Sequence, residues 1–158
     1  MKRYLLIIFT LLFITSCGSD NLNKSESDEF LIIGLTYGFC GGDCSTLYKL
    51  EGGKLYADTE DKRWSPEDDP RFSDNALDEI SGLEEMMSLY SSFPDYLEEV
   101  DENRFGCPDC GDWGALHVFK EIDGEMRYWT LDNMLESNPK EIQAWTKRIQ
   151  DLIFDLSQ

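Results

Sequence analysis

The chain is short of positive charge. Of its 158 residues only 14 are Lys or Arg, against 32 Asp or Glu, and it has a single histidine. Nucleic acids are held by basic surface that neutralises phosphates, so this balance excludes them as partners. No Gly-x-Ser-x-Gly, Walker loop, dinucleotide fingerprint or His-Glu-x-x-His occurs, and no EF-hand spacing is present. No catalytic constellation therefore stands out, and the chain reads as a non-enzyme. No internal repeat is found, and no apolar run approaches the roughly 20 residues of a spanning helix.

What is present begins at the N-terminus. Lys2 and Arg3 precede an apolar run from Tyr4 to Ile14, the length of a signal-peptide core. Ile14-Thr15-Ser16-Cys17 then resembles the lipobox of bacterial lipoproteins: an aliphatic residue, two small ones and a cysteine. The resemblance implies cleavage after Ser16 and a diacylglycerol thioether on Cys17. Palmitate is one expected acyl group. Each buried lipid CH₂ is worth about 0.8 kcal/mol, and two or more chains hold where one does not. Gly18, in place of Asp, resembles the pattern that sorts lipoproteins to the outer membrane, facing either the periplasm or the cell surface. Residues 17–29 are polar and acidic without apolar periodicity and read as a flexible tether. The expected organisation is a signal at 1–16, a tether at 17–29 and one domain at 30–158.

Removing residues 1–16 leaves 12 basic and 32 acidic residues, a net charge of −20. Residues 58–102 alone hold 16 acidic and 3 basic residues. Such a stretch reads as a solubilising face, or as a surface that attracts a cationic partner or a divalent metal.

The pattern predicts an α+β domain. Residues 30–37 (FLIIGLTY) read as a strand, and residues 45–58 as a hairpin turning at Gly52-Gly53. Residues 115–122 and 125–131 flank Asp123-Gly124, a preferred two-residue hairpin turn. Between the hairpins, Ser81 with Glu84 forms a capping box for a helix carrying Leu83, Met86, Met87 and Tyr90, ended by Pro94. Residues 76–80 extend that helix or form a short edge strand, and 98–105 is irregular. A last helix opens at Asn138-Pro139, with Asn as cap, and buries Ile142, Trp145, Ile149, Leu152, Ile153 and Leu156. The expectation is an antiparallel sheet of four to five strands with two helices packed on one face.

Four cysteines remain in two close pairs: Cys40 with Cys44, and Cys107 with Cys110. In an oxidising compartment an even count predicts disulfides, and the local pairing is favoured because each pair lies in one turn. Cross-pairs follow if the two turns meet. The alternatives are a Cys₄ zinc site at Cys40, Cys44, Cys107 and Cys110, or a thiol–disulfide oxidoreductase. Cys107-Pro108-Asp109-Cys110 resembles the C-P-x-C of thioredoxin-like enzymes, although a strand rather than a helix follows.

Cys40-Gly41-Gly42-Asp43-Cys44-Ser45, leading into two Tyr-containing strands, also resembles an uncharacterised family of exported bacterial domains. The hallmark of that family is C-F-G-x-C-P opening a β-hairpin, followed by a helix, a second hairpin and a final helix opened by Pro. Gly41 and Ser45 depart from the motif, and the Cys107/Cys110 pair is extra. The resemblance carries no catalytic residue across.

His117 lies on a hairpin strand with Ala115 and Phe119 on its face, and reads as structural rather than as a general base. Trp145 is core by periodicity. Trp113, between the Cys107/Cys110 pair and the second hairpin, is expected to be partly exposed, a candidate anchor for an envelope protein partner.

Overall fold

The computed structural model describes residues 30–38, 44–58 and 77–158. The signal-like segment, Cys17, the tether, Cys40 and Trp64 lie outside the described residues.

The strand β1 (Phe30–Thr36) is apolar at nearly every position, a pattern that suits a strand buried on both faces. It pairs antiparallel with β2 (Ser45–Glu51) on one edge and with β5 (Ala115–Ile122) on the other. The partners β3 (Lys54–Asp58) and β6 (Glu125–Asp132) are joined to these by two-residue turns, as the sequence predicts. Asp123 and Gly124 both take positive φ, 53° and 81°, the geometry of a turn that matches the strand twist. A short strand β4 (Leu77–Glu79) closes the outer edge, giving the order β4-β3-β2-β1-β5-β6.

Register assigns the two faces. Leu31, Ile33, Tyr48, Leu50, Leu116, Val118, Trp129 and Leu131 share one face and pack with the helices α1 (Leu83–Ser91), α2 (Asp95–Glu99) and α3 (Lys140–Leu156). Met86, Leu89, Leu97, Ile142, Trp145 and Ile149 are the helical half of that core. Burying one such side chain is worth about 1.5–3 kcal/mol. Phe30, Ile32, Leu47, Phe119 and Tyr128 form a separate cluster on the opposite face. Gly34 stands at its centre because a Cβ there would fall within the Leu47 side chain.

The sheet has six strands and the described residues hold three α-helices, where the sequence predicts four to five and two. The additions are short. β4 has three residues, and its pairing depends on β3 and on the Lys54–Glu79 ion pair rather than on its own pattern. α2 has five residues, begun directly after Pro94, so the proline that ends one helix caps the next.

Both predicted caps are corrected. α1 has no side-chain cap, because Gly82 intervenes in a left-handed conformation (φ 101°) and shifts Ser81 off the first turn. α3 has none either. Asn138 is buried and turned back on the sheet: its Oδ1 accepts from the Asp132 amide at 3.0 Å and its Nδ2 donates to the Asp132 carbonyl at 2.7 Å. The side chain thus ends β6 instead of starting α3.

This distinction is measurable. Serine is as good a helix cap as asparagine but lacks the amide that spans the Asp132 backbone. Asn138→Ser is expected to lower unfolding free energy by about 1–3 kcal/mol in urea titration, where a capping role would leave it nearly unchanged.

Candidate functional site

The turn holding the second cysteine pair sits beside the end of β1. Cys107 and Cys110 are joined by a disulfide with Cα atoms 5.4 Å apart, the local pairing predicted. Cys44 is also disulfide-bonded. The Cys110 amide bonds to the Cys107 carbonyl at 3.0 Å, and the Asp109 amide to the Gly114 carbonyl at 3.0 Å. Asp109, Gly111 and Asp112 all take left-handed conformations, folding the segment into a knuckle. The Cys107 amide is held by Asp132 Oδ2 at 2.8 Å.

The second cysteine turn meets the end of the chain after β1. Asp109 Oδ1 accepts from the Gly38 amide at 3.1 Å, so the residue between the second cysteines grips the chain entering the first turn. Among the described residues no three His, Cys, Asp or Glu side chains converge as metal ligands. The knuckle continues into a single 3₁₀ turn (Cys110–Asp112), with no helix N-terminus placed to activate a thiol.

Trp113 follows the knuckle and is 62% exposed. Its backbone is nonetheless fixed in place. Asn133 Nδ2 donates to its carbonyl at 2.8 Å, and Gln150 Nε2 in turn holds the Asn133 carbonyl at 2.7 Å. Gly114 (φ 80°) then brings the chain within touching distance of the Tyr37 ring, where any Cβ would collide with it. Tyr37, Phe154 and Asn133 line a cleft of about 310 Å³ floored by Leu35, Leu116 and Ile153. Of the five large exposed apolar side chains among the described residues, Tyr37 and Phe154 line this cleft, while Trp113 is tied to it through its carbonyl on Asn133 and Met134 follows Asn133 in the chain. The sequence singled out Trp113 alone. The other three come from separate segments, and only Phe154 carried a signal, being off the buried stripe of its helix.

His117 is on the opposite face and is buried. Its Nε2 is 2.7 Å from Thr36 Oγ1 and its Nδ1 is 2.8 Å from the Tyr128 hydroxyl, and it stacks on the Tyr128 ring. Burial, reinforced by the nearby Arg104 charge and opposed by Asp109, pulls its pKa down to about 4. Burial likewise pushes the Tyr128 hydroxyl up. The imidazole is therefore neutral at physiological pH and committed to two hydroxyls, a core role rather than that of a proton shuttle.

The chain is thus an α+β domain with an antiparallel sheet and an aromatic rim at one end. Comparison with protein-family models, curated proteins and solved structures gave no match.

The histidine predicts an acid sensitivity. An unfolded chain takes up a proton near pH 6.5 that the folded chain refuses down to about pH 4. Stability is full above the unfolded value and falls as pH drops through that window, by about 3 kcal/mol in all. Unfolding free energies measured from pH 7 to pH 4 are expected to show this loss, and His117→Asn to flatten it.

Proposed function

We propose that this chain is a lipid-anchored lipoprotein of the bacterial envelope whose globular part binds a protein partner without catalysing a reaction. The observation that carries the reading is the rim: Trp113 is exposed, and its backbone carbonyl is tied to Asn133, which lines an apolar cleft. An exposed indole on a tethered backbone is the kind of side chain that anchors protein contacts. The lipobox-like segment ending at Cys17 supplies the address, and outer-membrane sorting follows from Gly18. The paired cysteines suit the oxidising space outside the cytoplasm.

A second reading is favoured by one observation. The Cys107–Cys110 disulfide is exposed, so a thiolate can reach it, as a thiol–disulfide oxidoreductase requires. Insulin reduction that vanishes in Cys107→Ser would establish that reading. The zinc alternative needs the four thiols reduced, and titration of free thiols in the native protein measures that directly.

The anchor and the binding role are tested separately. Feeding cells an alkyne-tagged palmitate is expected to label the protein, with Cys17→Ala unlabelled and released from membranes. An intact, unacylated Met1 by mass spectrometry would overturn the anchor. A photo-crosslinking amino acid at position 113 is expected to form a discrete adduct in envelope membranes, while one at exposed position 125 does not. Equal or absent adducts at both positions would overturn the binding role.

A further inference from the structure

The lining of the cleft limits what can enter it. Tyr37 and Phe154 line it together with aliphatic side chains, and its polar residues, Thr46, Asn133, Gln150 and Ser157, are uncharged. Among the described residues no Lys, Arg, Asp, Glu or His lines it. A charged occupant would give up its water with no counter-charge to meet it, so the cleft selects an uncharged group. The polar atoms are biased toward accepting. Gln150 Nε2 donates to the Asn133 carbonyl and to Asn133 Oδ1, each at 2.7 Å, which commits the amide's donors and leaves Oε1 for a donor. Asn133 Nδ2 donates to the Trp113 carbonyl, and Ser157 Oγ to the Phe154 carbonyl, each at 2.8 Å. Ser157 caps the C-terminal end of α3, where the helix dipole gathers partial negative charge. A neutral hydrogen-bond donor is therefore favoured over an acceptor.

We propose that the cleft seats one tryptophan side chain of the partner protein, with the indole N–H donating to Gln150 Oε1. The proposal rests on the binding role given above and names the group that the partner inserts. Indole fits on three counts. It is uncharged. It donates one hydrogen bond and accepts none, so nothing polar is left unpaired among side chains whose donors are committed. It is aromatic, and rings packed on Tyr37 and Phe154 gain more than their buried area alone. The volume, about 310 Å³, is at the small end of ligand sites, which run from about 300 to 1,000 Å³, and suits one ring system rather than an extended chain. The source is a protein because apolar surface continues outside the cleft. Trp113, tied to the lining through Asn133, is 62% exposed, and Met134 is exposed next to Asn133 in the chain. A free small molecule filling the cleft would leave both uncovered.

The test uses the full acylated chain in phosphatidylcholine nanodiscs, with empty discs as baseline. The probe is the uncharged peptide acetyl-Gly-Ser-Trp-Ser-Gly-amide carrying 5-fluorotryptophan, titrated by fluorine NMR. It is expected to bind, and unlabelled analogues are expected to displace it in a set order. Benzothienylalanine, which has the shape of tryptophan without its N–H, should compete about three- to tenfold more weakly than tryptophan. Arginine at the same place should compete at least about tenfold more weakly. Phe154→Ser, a change of an exposed side chain, should weaken the tryptophan peptide at least about fivefold. Gln150→Met should bring the tryptophan peptide down to the level of the benzothienylalanine peptide and leave the latter unchanged, whereas a merely structural role for Gln150 would weaken both alike. Met126→Ser, exposed and outside the lining, should bind as the parent does. Equal competition by the three peptides, indifference to Phe154→Ser, Gln150→Met lowering both peptides alike, or no binding at all overturns the proposal. So does free indole that displaces the probe at a lower concentration than the tryptophan peptide, which makes the ligand a small molecule. So does a dimer in sedimentation that Trp113→Ala dissolves, which makes the inserted indole this chain's own. If position 113 crosslinks in membranes while no tryptophan peptide binds, the binding role stands and this inference alone falls.

Discussion

The domain depends on β1 being hydrogen-bonded along both edges. Its seven residues join the β2–β3 hairpin to the β5–β6 hairpin, which are otherwise separate units distant in sequence. A lone hairpin is marginal in water, so neither is stable until β1 lies between them. The same strand divides the core, sending Leu31 and Ile33 toward the helices and Phe30 and Ile32 toward the other face. Its last residues then set up both polar and aromatic features: Thr36 meets His117, and Tyr37 meets the chain at Gly114.

Local signals in the sequence were legible where they were strong and short-range. Gly52-Gly53 and Asp123-Gly124 mark hairpins because few residues accept positive φ, and the 3.6-residue stripe of α3 from Ile142 to Ile153 is buried as read. Leu156 is only partly covered. The misses were set by distant partners. Asn138 serves Asp132 because the sheet ends there, while of the two options read for residues 76–80 the edge strand forms because β3 presents an edge. A cap motif describes what a side chain can do locally, and tertiary contacts decide which option it takes.

The site shows the same division. Trp113, beside a glycine and close to the cysteines, was visible in the sequence, and its surroundings were not. The cleft draws on β1, β2, β5, the turn after β6 and the end of α3, five places that no linear pattern links. The contact of Gly38 with the second cysteine turn is likewise a product of the fold. Gly38 and Asp109 are 71 residues apart and touch because β1 and β5 are antiparallel neighbours.

The sheet's two margins are both blunted. On one side β4 is three residues long and carries Asp78 and Glu79. On the other, Asn103 and Phe105 exchange hydrogen bonds with Thr130 and mask part of β6. Unpaired strand borders invite copies to add on, end to end, into fibrils. On the lipid anchor proposed above, neighbours would diffuse in two dimensions at high local density, and that hazard would be multiplied. Short, charged and masked borders would then let many copies crowd one membrane without zipping together.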